Sequence, residues 1–179
     1  MLRKWFSRPA EEAAAVALYR AAVAQARQPG FYTSLGVPDT VDGRFEMVAL
    51  HAFLVLHRLK GEGEAGQRLG QAVFDAMFAD MDHNLREMGA GDLGVGPRVK
   101  TMAKAFYGRI AAYEAGLAQG DVELRAALRR NVFRTRSDID EVATAAVAAY
   151  LKREAEQLAR QPVEKLMAGE LQFGAPPAS

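Results

Sequence analysis

The sequence contains no cysteine in its 179 residues. This absence excludes disulfide bonds, thiolate zinc sites, iron–sulfur clusters and cysteine nucleophiles. An excess of charge is missing as well, because 23 Lys and Arg residues stand against 22 Asp and Glu residues, for a formal net charge of +1. The overall charge therefore indicates no partner, and we expect no specific recognition of nucleic acid.

Long hydrophobic runs are also missing. The longest run, residues 47–56, has about ten residues, roughly half of what a bilayer span needs. We therefore expect no membrane-spanning helix and, without a secretory signal, a cytoplasmic location. The N-terminus places Trp5 beside the cations Arg3, Lys4 and Arg8, a mixture typical of peripheral contact with a membrane such as the inner membrane. The alternative interpretation of this segment is a frayed chain end.

Apolar residues recur at intervals of three and four in almost every segment, and period-two alternation is hard to find. This periodicity predicts an all-α fold. We expect a single compact domain of six or seven helices, arranged like a bundle. Its predicted organisation is a flexible N-terminus over residues 1–9, a helical domain over residues 10–168 and a disordered tail over residues 169–179.

Proline and glycine locate the expected helix boundaries. We predict helices over residues 11–27 and 44–60 with a loop over residues 31–43 between them, a third helix ending before Gly89, a fourth with Pro97 in its first turn, a fifth over residues 122–132, and a last one from a capping box at Ser137–Asp140 to about Arg160. The second helix is apolar all round, which predicts that it is buried.

Methionines occupy several of the apolar helix stripes. Met77, Met81, Met88 and Met102 fall at helical spacing, which predicts that they belong to the core. The alternative is a soft, adaptable surface for an apolar partner, a use to which methionine is well suited.

Two patterns near the end of the third helix resemble ligand sites. Residues 89–94 match GxGxxG, but a dinucleotide fingerprint follows a β-strand, and these residues follow a helical stripe. Asp80, His83 and Glu87 share one helical face and would suit a metal ion. Carboxylate-bridged metal bundles need a second such element from another helix, and the sequence has none. A solvated polar face is the alternative interpretation of the trio.

Five arginines follow one another without an intervening acid, at positions Arg125, Arg129, Arg130, Arg134 and Arg136. A one-sided cluster of this kind attracts phosphates or anionic headgroups. Runs of like charge are also common on solvated helix faces, so both interpretations stay open. With Trp5, this run makes a membrane-surface or ribosome adaptor an alternative function.

Two stretches resemble the ubiquinol-cytochrome c chaperone family. The first is residues 31–47, leading into the buried second helix, and the more specific one is residues 85–109. The resemblance extends over roughly residues 31–166. It implies an all-helical chaperone, not an enzyme and without a cofactor, that binds newly made cytochrome b during assembly of the cytochrome bc1 complex. It also implies a small co-chaperone or the ribosome as further partners. Pro97 departs from the family motif, where a polar or basic residue is expected.

The resemblance places the partner-binding residues around the turn between the third and fourth helices. Charged residues are expected to organise its rim and glycines to permit close approach of the backbone. The alternative is that Arg86, Glu87 and Asp92 only cap and pair within the turn. The complete predicted set is Arg86, Glu87, Gly89, Gly91, Asp92, Gly94, Arg98, Lys100, Lys104 and Tyr107.

Overall fold

Eight helices follow one another through the residues that the computed structural model describes, which are 3–89, 91–138 and 141–177. The side chains of residues 3–8 and of Asp92 lie outside this description. The helices are α1 (Arg3–Ala26), α2 (Gly30–Thr33), α3 (Val41–Leu59), α4 (Gly63–Glu87), α5 (Asp92–Gln119), α6 (Asp121–Asn131), α7 (Glu141–Arg160) and α8 (Val163–Met167). Six of them have eleven or more residues, and α2 and α8 are short. The predicted all-α, single-domain fold is confirmed.

Helix α3 is the centre of the fold and packs against α1, α4, α5 and α7. Its first turn is capped by Thr40, whose hydroxyl accepts a hydrogen bond from the Gly43 amide at 3.1 Å. Met47, Leu50 and Phe53 are fully buried, together with most of the helix around them. The prediction that this helix is buried on all sides is confirmed. Each such side chain contributes about 1.5–3 kcal/mol to the free energy of unfolding.

A second, smaller core lies where α1, α3, α4 and α8 meet. Leu18, Val55, Leu69 and Leu166 are buried there. The larger core joins α3 to α5, α6 and α7 through aromatic and aliphatic side chains. Within the described residues, no helix combines the length and hydrophobicity that crossing a bilayer needs.

Several predicted boundaries differ from the structure. Helix α1 begins at Arg3, eight residues before the predicted start, and includes Pro9. The predicted loop over residues 31–43 contains α2, and α3 begins at Val41 because Thr40 supplies the cap. The proposed capping box at Ser137–Asp140 depends on Asp140, which lies outside the described residues.

The start of α5 is the clearest correction. Pro97 was expected in the first turn, but the helix begins five residues earlier, at Asp92. The proline ring removes one backbone donor, and the carbonyl left without it is that of Leu93. Leu93 is almost entirely exposed, so water can satisfy that carbonyl and the helix continues through the proline.

The C-terminal segment also differs from the prediction of a disordered tail from residue 169. The Gly174 amide donates to Glu154 Oε2 at 2.8 Å, and its carbonyl accepts from Gln25 Nε2 at 2.6 Å. Phe173 packs edge-on against His51, with ring centroids 5.3 Å apart. Residues 171–177 therefore bridge α1, α3 and α7. The composition of the tail did not indicate this contact, because the buried carboxylate that accepts the Gly174 hydrogen bond belongs to Glu154 of α7.

Candidate functional site

The turn between α4 and α5 is short and places two helix ends at one corner of the molecule. Helix α4 ends at Glu87, and Gly89 adopts a positive φ of 82°, which a residue with a side chain rarely tolerates. The Gly89 amide donates to the Arg86 carbonyl at 3.0 Å, and Gly91 precedes the first residue of α5. Glycine at position 89 is thus a requirement of the turn itself.

The remaining glycines of this region have a different environment. A Cβ atom placed on Gly91, Gly94 or Gly96 meets no other atom within 4 Å. Packing within the chain therefore does not require glycine at these positions, and glycine inside a helix costs about 1 kcal/mol relative to alanine. At these glycines the α5 backbone is open to close approach from outside the chain.

Large apolar side chains are exposed beside this open backbone. Met88 is 62%, Leu93 96% and Tyr107 55% exposed. The prediction that Met88 belongs to the core is wrong, because Met88 follows the last residue of α4 and is exposed there. Leu93 fell outside the apolar stripes of the sequence, so periodicity gave no signal for it. We call the exposed side chains of residues 86–107 the α4–α5 surface.

An aromatic cluster fixes the orientation of α5 against α4. The Tyr107 ring stacks on Phe74, with centroids 5.1 Å apart and planes 29° apart. Phe74 in turn contacts Phe78 at 4.6 Å and Phe106 at 6.0 Å. Because Phe78 and Phe106 are buried, the half-exposed Tyr107 ring is held in place by the core beneath it.

Three predicted cations are available on the α4–α5 surface. Arg98, Lys100 and Lys104 are exposed, and the structure shows none of them in an ion pair with another residue that it describes. Arg86 is different, because its Nε donates to Asp82 Oδ2 at 2.7 Å. This hydrogen bond lowers the pKa of Asp82. The interpretation that Arg86 pairs locally therefore has geometric support.

The two acidic residues of the predicted partner-binding set contribute less to the α4–α5 surface than the cations do. Glu87 is exposed at the last residue of α4. Asp92 begins α5, but its side chain lies outside the described part of the chain. The predicted glycines, cations and Tyr107 thus lie along the turn and the first part of α5, and their use in binding, like the contribution of Asp92, stays a prediction.

Beneath this surface, α5 is joined to α3 by an ion pair that the set of predicted site residues omits. Arg109 donates from Nε to Glu46 Oε2 at 2.7 Å and from Nη2 to Oε1, and both side chains are nearly buried. Arg109 Nη1 also donates to the Ala105 carbonyl at 2.9 Å. The adjacent Tyr113 is fully buried, and burial, followed by the charge of Glu46, raises its pKa. Arg109 ends the second resembling stretch, which was the available signal for it.

His51 of α3 is fully buried. Its Nδ1 lies 2.7 Å from the Met47 carbonyl, which can only accept, so Nδ1 carries the proton. Its Nε2 then accepts from the Tyr150 hydroxyl at 2.8 Å, and Gln25 Nε2 donates to that hydroxyl at 2.9 Å. Burial lowers the pKa of His51 to about 4. The histidine is a satisfied core residue without access to a substrate.

The alternative metal trio is not assembled. Asp80 accepts a hydrogen bond from the Tyr19 hydroxyl of α1 at 2.7 Å. Among the residues that the structure describes, no group of three His, Asp or Glu side chains is placed to hold a metal ion. Asp80, His83 and Glu87 therefore lack the arrangement that this hypothesis needs.

Four of the five arginines of the run pair with acidic residues that lie outside it in the sequence. Arg125 pairs with Asp121 and Arg129 with Glu141. Arg134 contacts Asp42 at 2.8 Å, and Arg136 contacts Asp138 at 2.8 Å and the Gly36 carbonyl at 3.0 Å. Arg130 is exposed. The one-sided charge that the sequence indicated is thus reduced, and the side chain of Trp5 lies outside the description.

Comparison with known proteins gives a consistent result. Residues 33–173 match the family model described as "Ubiquinol-cytochrome C chaperone". The "Ubiquinol-cytochrome-c reductase complex assembly factor 1" of Xenopus laevis is 29% identical over 125 residues, which cover 70% of this chain and 62% of that protein. "Protein CBP3, mitochondrial" of Saccharomyces cerevisiae is 28% identical over 149 residues, 82% of this chain and 44% of that protein.

A solved structure is also similar. The crystal structure of the Cbp3 homolog from Brucella abortus is 41% identical in sequence, with a TM-score of 0.83 over 97% of both chains. The chain thus spans less than two thirds of these two curated relatives and nearly all of the bacterial structure.

Proposed function

The chain belongs to the ubiquinol-cytochrome c chaperone family, and we propose that it binds newly made cytochrome b during assembly of the cytochrome bc1 complex. The family is one of chaperones and not of enzymes. The Xenopus laevis relative is named as an assembly factor of the ubiquinol-cytochrome c reductase complex, which supports a role in assembling that complex. The name of this relative specifies the complex but no subunit, and our proposal assigns cytochrome b as the client.

The observation that carries the proposal is the composition of the α4–α5 surface. It combines the exposed apolar residues Met88 and Leu93 with the exposed cations Arg98, Lys100 and Lys104. Unfinished membrane proteins present apolar helices flanked by polar loops and lipid headgroups. Apolar side chains bind the former and cations the latter, while the long cationic side chains can lie along apolar surface with their charges in water.

The rigid support of this surface is consistent with a binding role. Tyr107 is stacked on Phe74, and α5 is fixed to α3 by the pair of Arg109 and Glu46. A surface that is ordered before the client arrives loses less conformational entropy on binding. The open backbone at Gly94 and Gly96 adds room for a client helix to pack closely.

Further partners are part of the same proposal. A client that inserts into a bilayer places its chaperone beside the inner membrane, on the cytoplasmic side. The membrane surface, the ribosome and a small co-chaperone are therefore partners that we propose in addition to cytochrome b. Arg130 is the exposed member of the arginine run that is best placed for an anionic contact.

Gene deletion with complementation tests this proposal. Deletion is expected to lower holo-cytochrome b and assembled bc1 complex while the transcripts of its subunits persist. The wild-type gene restores both, and Leu93→Asp restores little, because a charge at this position disfavours an apolar client. Val122→Asp is the matched control, since Val122 is 76% exposed on α6, away from the α4–α5 surface. Normal bc1 levels in the deletion strain would contradict the proposal.

A further inference from the structure

Helix α1 carries a short pattern of charge on its exposed face. Glu12, Val16 and Arg20 follow at intervals of four residues, and all three are exposed. Residues four apart lie on the same side of a helix. An acid, an apolar residue and a base therefore form a line, with Val16 in the middle.

The two charges of this line are not used within the chain. Neither Glu12 nor Arg20 forms an ion pair with another residue that the structure describes. The neighbouring Glu11, by contrast, contacts Arg68 of α4 at 3.3 Å. The exposed pair of opposite charges is thus available to a partner at both ends of the line.

Val16 also lies in a groove between α1 and α4. Two adjoining depressions of about 530 and 500 Å³ share Val16, Ala76 and Ala79. The floor is made of small apolar side chains, which allow another helix to approach closely, since the distance between packed helices depends on the side chains at the contact. One end of the groove is acidic, and the other end is basic. The acidic end is lined by Glu11, Glu12 and Asp75 together with Arg68, which pairs with Glu11. The basic end is lined by Arg20 and Arg27 together with Asp80, which accepts the Tyr19 hydrogen bond.

We propose that this groove is the interface of a homodimer, in which two copies pack through α1 about a two-fold axis at Val16. When two antiparallel helices cross at one residue, the residue four positions before it faces the residue four positions after it in the other copy. Glu12 of each copy then faces Arg20 of the other, and the pair forms twice. The contact is self-complementary, so it closes at two copies.

The charge pattern favours a second copy over an apolar client helix. An apolar segment in the groove would leave Glu12 and Arg20 beside it without partners, and burying an unpaired charge is unfavourable. A second copy satisfies both charges and covers Val16 at the same time. The α4–α5 surface begins at Arg86, beyond the last α4 residue that lines the groove, Asp80, and stays available for the function proposed above.

Sedimentation velocity of the full chain over a concentration series tests the homodimer. The wild-type chain is expected to show a concentration-dependent equilibrium of monomer and dimer. Val16→Asp is expected to raise the dissociation constant by about tenfold or more, because it places two carboxylates at the axis. Val122→Asp, on an exposed valine of α6, is the control and is expected to leave the dissociation constant unchanged.

Charge reversal gives the sharper result. Glu12→Arg and Arg20→Glu each convert both symmetric pairs into repulsive ones, so each variant alone is expected to be monomeric. Mixed together, the two variants are expected to form a heterodimer, in which residue 12 and residue 20 carry opposite charges at both contacts. Circular dichroism shows that each variant is folded.

Three outcomes overturn the proposal. The first is a wild-type chain that is monomeric throughout the series, which would assign the groove to a different protein. The second is a dimer that Val16→Asp leaves unchanged, and the third is a mixture of the two folded charge variants that forms no heterodimer.

Discussion

Arg109 on α5 binds Glu46 on α3 through two hydrogen bonds, one of them 2.7 Å from Nε to Oε2, and both side chains are almost fully removed from solvent. Because Arg109 and Tyr107 are neighbours on the same helix, this pair sets the position of α5 from beneath while Tyr107 is presented at the surface. The support of the α4–α5 surface thus depends on a contact between residues 63 positions apart in the chain.

Glu46→Ala is expected to lower the free energy of unfolding by about 3–5 kcal/mol, because it leaves the Arg109 charge buried and unpaired. Replacing both residues, with Glu46→Leu and Arg109→Met, is expected to cost much less, since no buried charge remains. Urea unfolding of the two single variants and the double variant measures the coupling. Additive losses in the double variant would show that the pair contributes nothing as a unit.

His51 is expected to make stability depend on pH between about 4 and 6.5. Burial lowers the pKa of the folded histidine from 6.5 to about 4, so the unfolded chain binds a proton that the folded chain does not. The stabilisation is complete above pH 6.5 and is lost as the pH falls towards 4, by about 3 kcal/mol in total. His51→Gln is expected to flatten the pH dependence of the unfolding free energy in this range. His83→Gln, at an exposed histidine of α4, should keep the wild-type slope.

Removal of residues 171–179 is expected to lower the free energy of unfolding by about 2 kcal/mol. The truncation breaks the hydrogen bonds of Gly174 with Glu154 and Gln25 and leaves the Glu154 carboxylate buried without its backbone donor. Gly174→Val should have a similar effect, because a Cβ atom there meets Glu154 Oε1 at 2.7 Å. Thermal unfolding of the truncated chain at the wild-type temperature would indicate that the tail is unbound in solution.

Reversing the charges of Arg98, Lys100 and Lys104 to Glu is expected to reduce recovery of the bc1 complex in the deletion strain without unfolding the protein. These exposed side chains form no ion pair with a described residue, so their loss removes no contact within the chain. Lys165→Glu, at an exposed lysine of α8, is the control for a change of net charge. Equal recovery with the triple variant and the control would remove the cations from the proposed client contact.

The sequence predicted the helices better than it predicted their ends. The all-round apolar pattern of α3 identified the central helix, because burial on every side leaves no polar face. The start of α5 was predicted too late, because Pro97 was expected in the first turn of the helix. The proline is tolerated further inside α5 because the Leu93 carbonyl, which lacks its backbone donor, is exposed to water. Met88 continues the apolar stripe of α4 but lies just past the last residue of the helix, where it is exposed, and periodicity does not show where a helix ends.

Long-range pairing explains the other differences. The arginine run contains no acidic residue, but Arg134 forms an ion pair with Asp42, which lies 92 positions away in the chain. Such a partner is visible only in the fold. The pair of Arg109 and Glu46 was missed for the same reason. The glycines and cations of residues 89–104 were predicted as binding residues from the resemblance to a family, because composition alone indicates only a turn.

The most direct test of the account is photocrosslinking in cells that are synthesising cytochrome b, with a photoreactive amino acid at position 93. The account predicts an adduct between newly made cytochrome b and the chain labelled at Leu93 or Tyr107, and no such adduct with the label at Val122, whose exposure of 76% lies between those of the other two positions. An adduct of equal strength at Val122, or the absence of cytochrome b from the Leu93 adducts, would contradict the proposal that the α4–α5 surface holds this client.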